Sequence, residues 1–295
     1  MVKNEVVVQS NKLVEAHYKQ QYTVQEQRMV LWVISEIHKE DYFKSGKYEY
    51  KKITISAQKY AELMGITVDD VYKRAKKIGD DLMQKVITIE TETGWEKFHW
   101  MAQMTYNGGH IEALITPAIL PHIIDLKEKF TAFRLENILY LRSSHAIKLY
   151  QILAQYKQVG ERTITIDKLR AMLGIYKEKS YALFGHIKSK ILDISKREIN
   201  SKTDLTISYL TIKQSRKVVG INFKITQKPN QAAQVKKEFE KHILQLPNDN
   251  VLKAIFEKYG FEQIVIKNSF QEFLNEKVLN YDPQSPKPLK LKKNN

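Results

Sequence analysis

Apolar residues recur at helical spacing in Ile147, Tyr150, Leu153 and Ala154, a stripe that predicts a helix from Ser143 to Lys157. Gly160 stops it. Thr163-Ile164-Thr165-Ile166 reads as a short strand, and Asp167 stands where it would cap a helix over 168–173. Gly174 suits the left-handed position that ends that helix. A longer helix is expected from near Ser180, a good N-cap residue, with Tyr181, Phe184, Ile187 and Ile191 facing inward. Two strands follow, Leu205 to Lys213 and Val218 to Thr226, joined by the polar turn Gln214-Ser215-Arg216-Lys217. Helix, strand, helix, glycine turn, helix, hairpin is the order of a winged helix, a helix-turn-helix carrying a β-hairpin.

The same pattern occurs earlier in the chain. Ile53-Thr54-Ile55 followed by Leu63-Met64-Gly65-Ile66 matches Ile164-Thr165-Ile166 followed by Met172-Leu173-Gly174-Ile175. Tyr72, Ile78 and Leu82 stand at the same distance from their glycine as Tyr181, Ile187 and Ile191. Upstream, Leu31-Trp32-x-Ile34 matches Leu149-Tyr150-x-Ile152 at a slightly larger offset. The first copy is predicted as a helix over 25–39, a strand Ile53 to Ile55 capped onto the next helix by Ser56, and a third helix from Asp69 to Lys85. Its sheet is expected to be larger, with strands Val86 to Thr91, Phe98 to Tyr106 and His110 to Thr116, and turns at Gly94 and Asn107-Gly108-Gly109. Pro117 is expected to open a linker helix reaching Asp125. A period of about a hundred residues exceeds the roughly 20–50 of solenoid units and matches a small domain. The expected fold class is α+β: tandem winged helices over 1–130 and 131–228, then a short helical extension and loose basic tail over 229–295.

Charge changes this picture more than composition does. The 295 residues are 43% hydrophobic and 27% charged, ordinary for a globular chain. The net charge of +15 is unevenly spread. Residues 1–142 hold 20 basic and 19 acidic side chains, residues 143–228 hold 17 and 6, and residues 229–295 hold 11 and 8. A basic excess concentrated in the second copy points to a polyanion partner, nucleic acid first; a solubility surface is the plain alternative. On the outward face of its third helix the second copy shows Lys179, Ala182, His186, Ser189 and Lys190, with Lys177 and Ser180 beside them. The matching face of the first copy carries Asp70, Lys73, Lys77, Asp80 and Asp81, with Arg74 adjacent. Carboxylates are costly against phosphates, so the second copy is expected to be the main DNA reader and the first an auxiliary one. Arg216 and Lys217 would form the tip of the wing. A solvated helix face would also account for Lys179 and Lys190. The near-neutral first copy is expected to carry self-association, with Trp95, Trp100 and Tyr106 available for an interface or for its own core.

Val8-x-Ser10-Asn11-x-Leu13, Gln27-Arg28, Phe130-Thr131-x-Phe133-x-Leu135-x-x-Ile138 and Ser143-x-x-x-Ile147-Lys148-Leu149-Tyr150 resemble plasmid replication initiators of the iteron-binding class, the Rep_3 family. The resemblance covers about residues 5–228. It implies two winged helices, the second gripping a short direct repeat (an iteron) at the origin. It implies that the first adds DNA contacts in a monomer and can form a dimer that represses the initiator's own gene. A host replication initiator and the replicative helicase would be partners. The competing expectation is a two-domain transcriptional repressor with no replication role.

Catalysis is not expected. No two of the eight histidines lie within ten residues, unlike the paired metal-binding histidines of nicking initiators, and no Gly-x-x-x-x-Gly-Lys phosphate loop is present. Without cysteine there is no disulfide, thiol nucleophile or thiolate zinc site. No metal or other cofactor is called for. No apolar run approaches membrane-spanning length and the N-terminus lacks a signal-like apolar core, so a cytoplasmic location and no membrane partner are expected.

Overall fold

A computed structural model describes residues 5–38, 43–44, 47–50, 52–124, 126 and 129–229, together with one pair of two-residue strands near the C-terminus. The chain forms two compact units, Met1–Gln227 and Lys228–Asn295. In the second unit, Val278–Leu279 pairs antiparallel with Lys290–Leu291. The helices expected between 239 and 256 lie outside the described residues.

The first repeat opens with the helix Val24–Ser35, shorter at its end than predicted. Thr23 and Glu26 form a reciprocal capping box: the Thr23 hydroxyl accepts from the Glu26 amide, and the Glu26 carboxylate accepts from the Thr23 amide. Strand Lys52–Ser56 runs directly into helix Ala57–Met64, capped by Ser56 as expected. Gly65 closes that helix at φ 67°, and the third helix runs over Val71–Met83. The sheet departs from expectation. The strand predicted over 98–106 is broken at His99-Trp100, because Trp100 turns into the core at 4% exposure and the chain crosses between sheets there. One three-stranded sheet joins His17–Tyr18, Ile87–Glu90 and Trp95–Phe98, and the other joins Lys52–Ser56, His110–Ile115 and Met101–Asn107. Pro117 opens a 3-10 turn, Pro117–His122, in place of a linker helix; Asp125 lies outside the described residues.

The second repeat begins with helix Ser144–Ala154, its N-cap Ser143 accepting from the Ala146 amide. Strand Glu161–Thr165 leads without a loop into helix Ile166–Leu173. The cap is Thr165, whose hydroxyl accepts from the Lys168 amide at 3.3 Å, and not the predicted Asp167. Thr165 keeps extended dihedrals while the helix has already begun at Ile166, so Asp167 sits in the first turn. Gly174 ends this helix at φ 71°. Leu205–Gln214 and Lys217–Gln227 form the hairpin, turning at Ser215 with φ 55°, and Glu161–Thr165 adds the third strand.

The two repeats share one core. Strand Val6–Ser10 pairs with Phe130–Arg134 over five residues, so a division between 130 and 131 falls at the start of this ladder. Helix Ser144–Ala154 is buried on every face, including Lys148 and Gln151, because the first repeat covers the side away from its apolar stripe. Lys148 Nζ donates to the Val14 carbonyl at 2.7 Å and lies 4.0 Å above the Tyr18 ring. Gln9 donates to Gln151, Gln27 to the Ser144 carbonyl, and Arg162 and Lys168 both pair with Glu15. Arg28 grips three carbonyls at once, those of Met64, Leu139 and Leu141.

Candidate nucleic-acid interface

The third helix of the second repeat begins later than the spacing predicted. Lys177 lies in the turn after Gly174, and Lys179–Tyr181 form a 3-10 turn. The helix opens at Phe184–Ile187, passes through a π-helical turn Lys188–Leu192, and continues without a break as Asp193–Lys202. Its N-cap is Leu183, not Ser180. Lys179, Ser180 and Ala182 therefore stand on the approach to the helix, while His186, Ser189 and Lys190 stand on the helix itself.

This approach is pinned from two sides. Arg170 donates to the carbonyls of Tyr181 (2.9 Å) and Ala182 (2.7 Å). His186 Nδ1 lies 2.7 Å from the Ser180 carbonyl, and Ser189 Oγ donates to the Gly185 carbonyl at 2.9 Å. Ile187, Ile191 and Ile199 anchor the helix in the core, with Phe184 half-buried at its start. The outer residues Lys177, Lys179, Ser180, Ala182, His186, Ser189 and Lys190 are all exposed.

Among the described residues no carboxylate pairs with Lys177, Lys179, Lys190, Arg216 or Lys217. Other cations of the repeat are engaged. Lys188 pairs with Asp193 at 2.9 Å, and Lys224 pairs with Glu161. The Tyr209 hydroxyl and then Lys188 hold the Asp193 carboxyl below its usual range. Lys148, Arg162 and Lys168 face the first repeat, so part of the basic excess counted over 143–228 stabilises the join between repeats and is not offered to a polyanion. Among the described residues, cations without an ion pair include those around the third helix and at the hairpin tip, where Arg216 is in the turn and Lys217 begins the returning strand.

In the first repeat Lys73, Arg74 and Lys77 are exposed on the third helix, sharing that surface with Asp70 and Asp80. Tyr72, 58% exposed, packs edge-on against Tyr106 at 5.3 Å. Of the three aromatics considered for an interface, Trp100 belongs to the core. Trp95 is 62% exposed, with Lys97 Nζ 4.0 Å above its ring, and Tyr106 is 39% exposed.

Residues 6–154 match the family described as "Initiator Replication protein, WH1", and residues 165–225 match "Initiator Rep protein, WH2". The chain belongs to this initiator family. A "Replication initiation protein" of Escherichia coli is 20% identical over 211 residues, covering 68% of this chain and 64% of that protein. The chain thus spans less than two thirds of that curated relative's length. Among solved structures, the Pi initiator protein in complex with iteron DNA matches with a TM-score of 0.63 and 20% identity, over 77% of this chain and 99% of that one. This likeness shows the tandem winged-helix fold of the initiator family in the present chain.

Among the described residues no three His, Asp or Glu side chains are grouped to hold a metal ion, and no helix is long and apolar enough to cross a membrane. Two features of the interface have no signal in the sequence pattern: the Arg170 grip on the approach turn, and the exposed Leu183 at the helix start.

Proposed function

We propose that this protein initiates plasmid replication by binding duplex direct repeats at an origin, with the second winged helix as the main reader. The carrying observation is the set of exposed, unpaired cations Lys177, Lys179, Lys190, Arg216 and Lys217 around a rigidly held third helix, in a chain of the initiator family. The complex of the Pi initiator with iteron DNA supports this reading. Lys179, Ser180, Ala182, His186 and Ser189 approach the major groove, and Arg216 and Lys217 reach flanking phosphates. Lys73, Arg74 and Lys77 add weaker contacts from the first repeat. The first repeat also carries a dimer form that represses the gene, and a host initiator and the replicative helicase are the further partners. The protein acts as a binder and not as a catalyst, in the cytoplasm.

The test is duplex binding to the direct repeats beside the gene, measured against a shuffled duplex across a salt series. With roughly 6–10 phosphate contacts, affinity should fall about 10³–10⁵-fold between about 50 and 200 mM salt. Binding that ignores salt, or that treats both duplexes alike, would overturn the proposal. A plasmid carrying only the gene and its flanking repeats should replicate. If it fails to replicate while expression of the gene is repressed, the protein is a repressor alone.

A further inference from the structure

Two neighbouring residues at the start of the second repeat's third helix break local rules that the fold itself does not require them to break. Leu183 is the N-cap, with φ −88° and ψ 134°, and it makes no side-chain cap bond. Leucine is among the poorest residues at that position, where Asn, Asp or Ser would satisfy an amide. Its side chain is 66% exposed, so core packing does not explain it either. Gly185, two residues on, lies in the first turn. It has no positive φ, and a Cβ built there meets nothing within 4 Å. Gly174 and Gly65 are needed for their left-handed turns; Gly185 has no such reason, and glycine weakens a helix relative to alanine. Places where local rules fail without a compensating gain in the fold are where function is expected.

The turn that presents both residues is tied down by hydrogen bonds. Arg170 fixes the two carbonyls preceding Leu183, and the contact of His186 with the Ser180 carbonyl closes the turn around it. An exposed apolar side chain beside an open position without a Cβ, on the same turn and helix that carry the unpaired Lys179 and Lys190, suits an apolar group on a polyanion. Duplex DNA carries one such group in its major groove, the thymine 5-methyl. We infer that Leu183 and the open space beside Gly185 receive a thymine methyl and so determine one base of the recognised sequence. This rests on the duplex-DNA reading above.

The experiment uses the full-length protein and a duplex enriched by it from a random-sequence pool, with each thymine replaced in turn by deoxyuridine. At one position the loss of the methyl should weaken wild-type binding about four-fold, the effect of one buried methyl group. Leu183→Asn, which supplies a capping side chain, should bind thymine and uracil duplexes alike at that position. Its thermal midpoint should rise by about 2–4 °C, which separates the effect from unfolding. Leu183→Ala, with capping as poor as leucine's, should lose the discrimination equally. Gly185→Ala should raise the midpoint too, yet weaken binding to the enriched duplex. If wild type binds the enriched duplex but is indifferent to every replaced thymine, the inference fails and the duplex-DNA reading stands. Discrimination retained by both Leu183 variants, or unchanged affinity in Gly185→Ala, likewise overturns it. If no sequence is enriched at all, the duplex-DNA reading fails and the inference with it.

Discussion

Lys77 and Lys190 are exposed lysines on the third helix of their respective repeats, and neither has an ion-pair partner among the described residues. Their neighbours set them apart. Lys77 shares its helix with Asp80 and Asp81, whereas Lys190 stands near Ser189 and His186, with Asp193 occupied by Lys188 and Tyr209. A phosphate approaching Lys77 meets nearby carboxylate repulsion that one approaching Lys190 largely escapes. Lys190→Glu should therefore weaken repeat binding roughly tenfold or more, and Lys77→Glu several-fold less; equal losses in a titration would mean that the two repeats share the load. Lys148 is the opposite kind of lysine. Burial lowers its pKa to about 7, although Glu15 acts in the other direction. The unfolded chain then holds a proton that the folded chain lacks between about pH 7 and pH 10.5, so stability from this group rises with pH across that window and is flat below it. Between about pH 7 and pH 9 the gain should be about 2 kcal/mol, read as a shift in the urea midpoint. Lys148→Met should remove that slope. A wild-type midpoint that does not rise above pH 7 would show that Lys148 is not desolvated.

At the scale of elements, periodicity and turn residues were enough to place both winged helices, including Gly65 and Gly174 at their left-handed ends. Boundaries were legible only where one residue competed for a role. Ser56 and Ser143 are caps as expected, but at residue 165 the strand passes straight into the helix and Thr165 takes the role predicted for Asp167. Thr165→Ala should cost about 1 kcal/mol of stability and Asp167→Ala less than about 0.5 kcal/mol, measured by chemical denaturation. The reverse order would put the cap back at Asp167. The third helix of the second repeat was placed too early because Ser180 looks like a cap, whereas its carbonyl lies against His186. The expected strand over 98–106 is broken at His99-Trp100. Only the burial of Trp100 shows that the chain changes sheets there.

The whole molecule shows what a pattern read one repeat at a time misses. The apolar stripe of helix Ser144–Ala154 marks one of its faces, but it does not show that the first repeat also covers Lys148 and Gln151. The charge sum over 143–228 was similarly blind to the join, where Lys148, Arg162 and Lys168 meet Val14 and Glu15. The candidate DNA surface was legible as a set of residue types; Leu183 was not, because an exposed leucine has no polar signature. Self-association belongs to this scale as well. The near-neutral first repeat lacks the repulsion that would oppose pairing two basic ones, and the exposed Trp95 offers it an aromatic anchor. Sedimentation equilibrium of the full chain at micromolar concentration should show a dimer weakened at least about fivefold by Trp95→Ala, the size of a residue contributing about 1 kcal/mol. A dimer unaffected by that change would place the interface elsewhere.

Gly65 and Gly174 occupy the same place in their repeats with nearly the same φ, but their surroundings differ. A Cβ at 65 would reach only the Arg28 guanidinium, at 4.0 Å, while one at 174 would stand 2.9 Å from the Gln20 carbonyl oxygen and 3.2 Å from the Gln21 nitrogen. Gln21 also donates to Glu178, on the approach to the third helix. The second glycine is therefore a seam as well as a hinge point: the backbone of one repeat rests directly on the turn that aims the other repeat's helix. An alanine at 65 meets only the torsional cost of its own turn. An alanine at 174 would also push a neighbouring strand of chain aside, so one methyl group there would disturb the alignment of both repeats. Two repeats alike in sequence pattern are therefore not interchangeable parts.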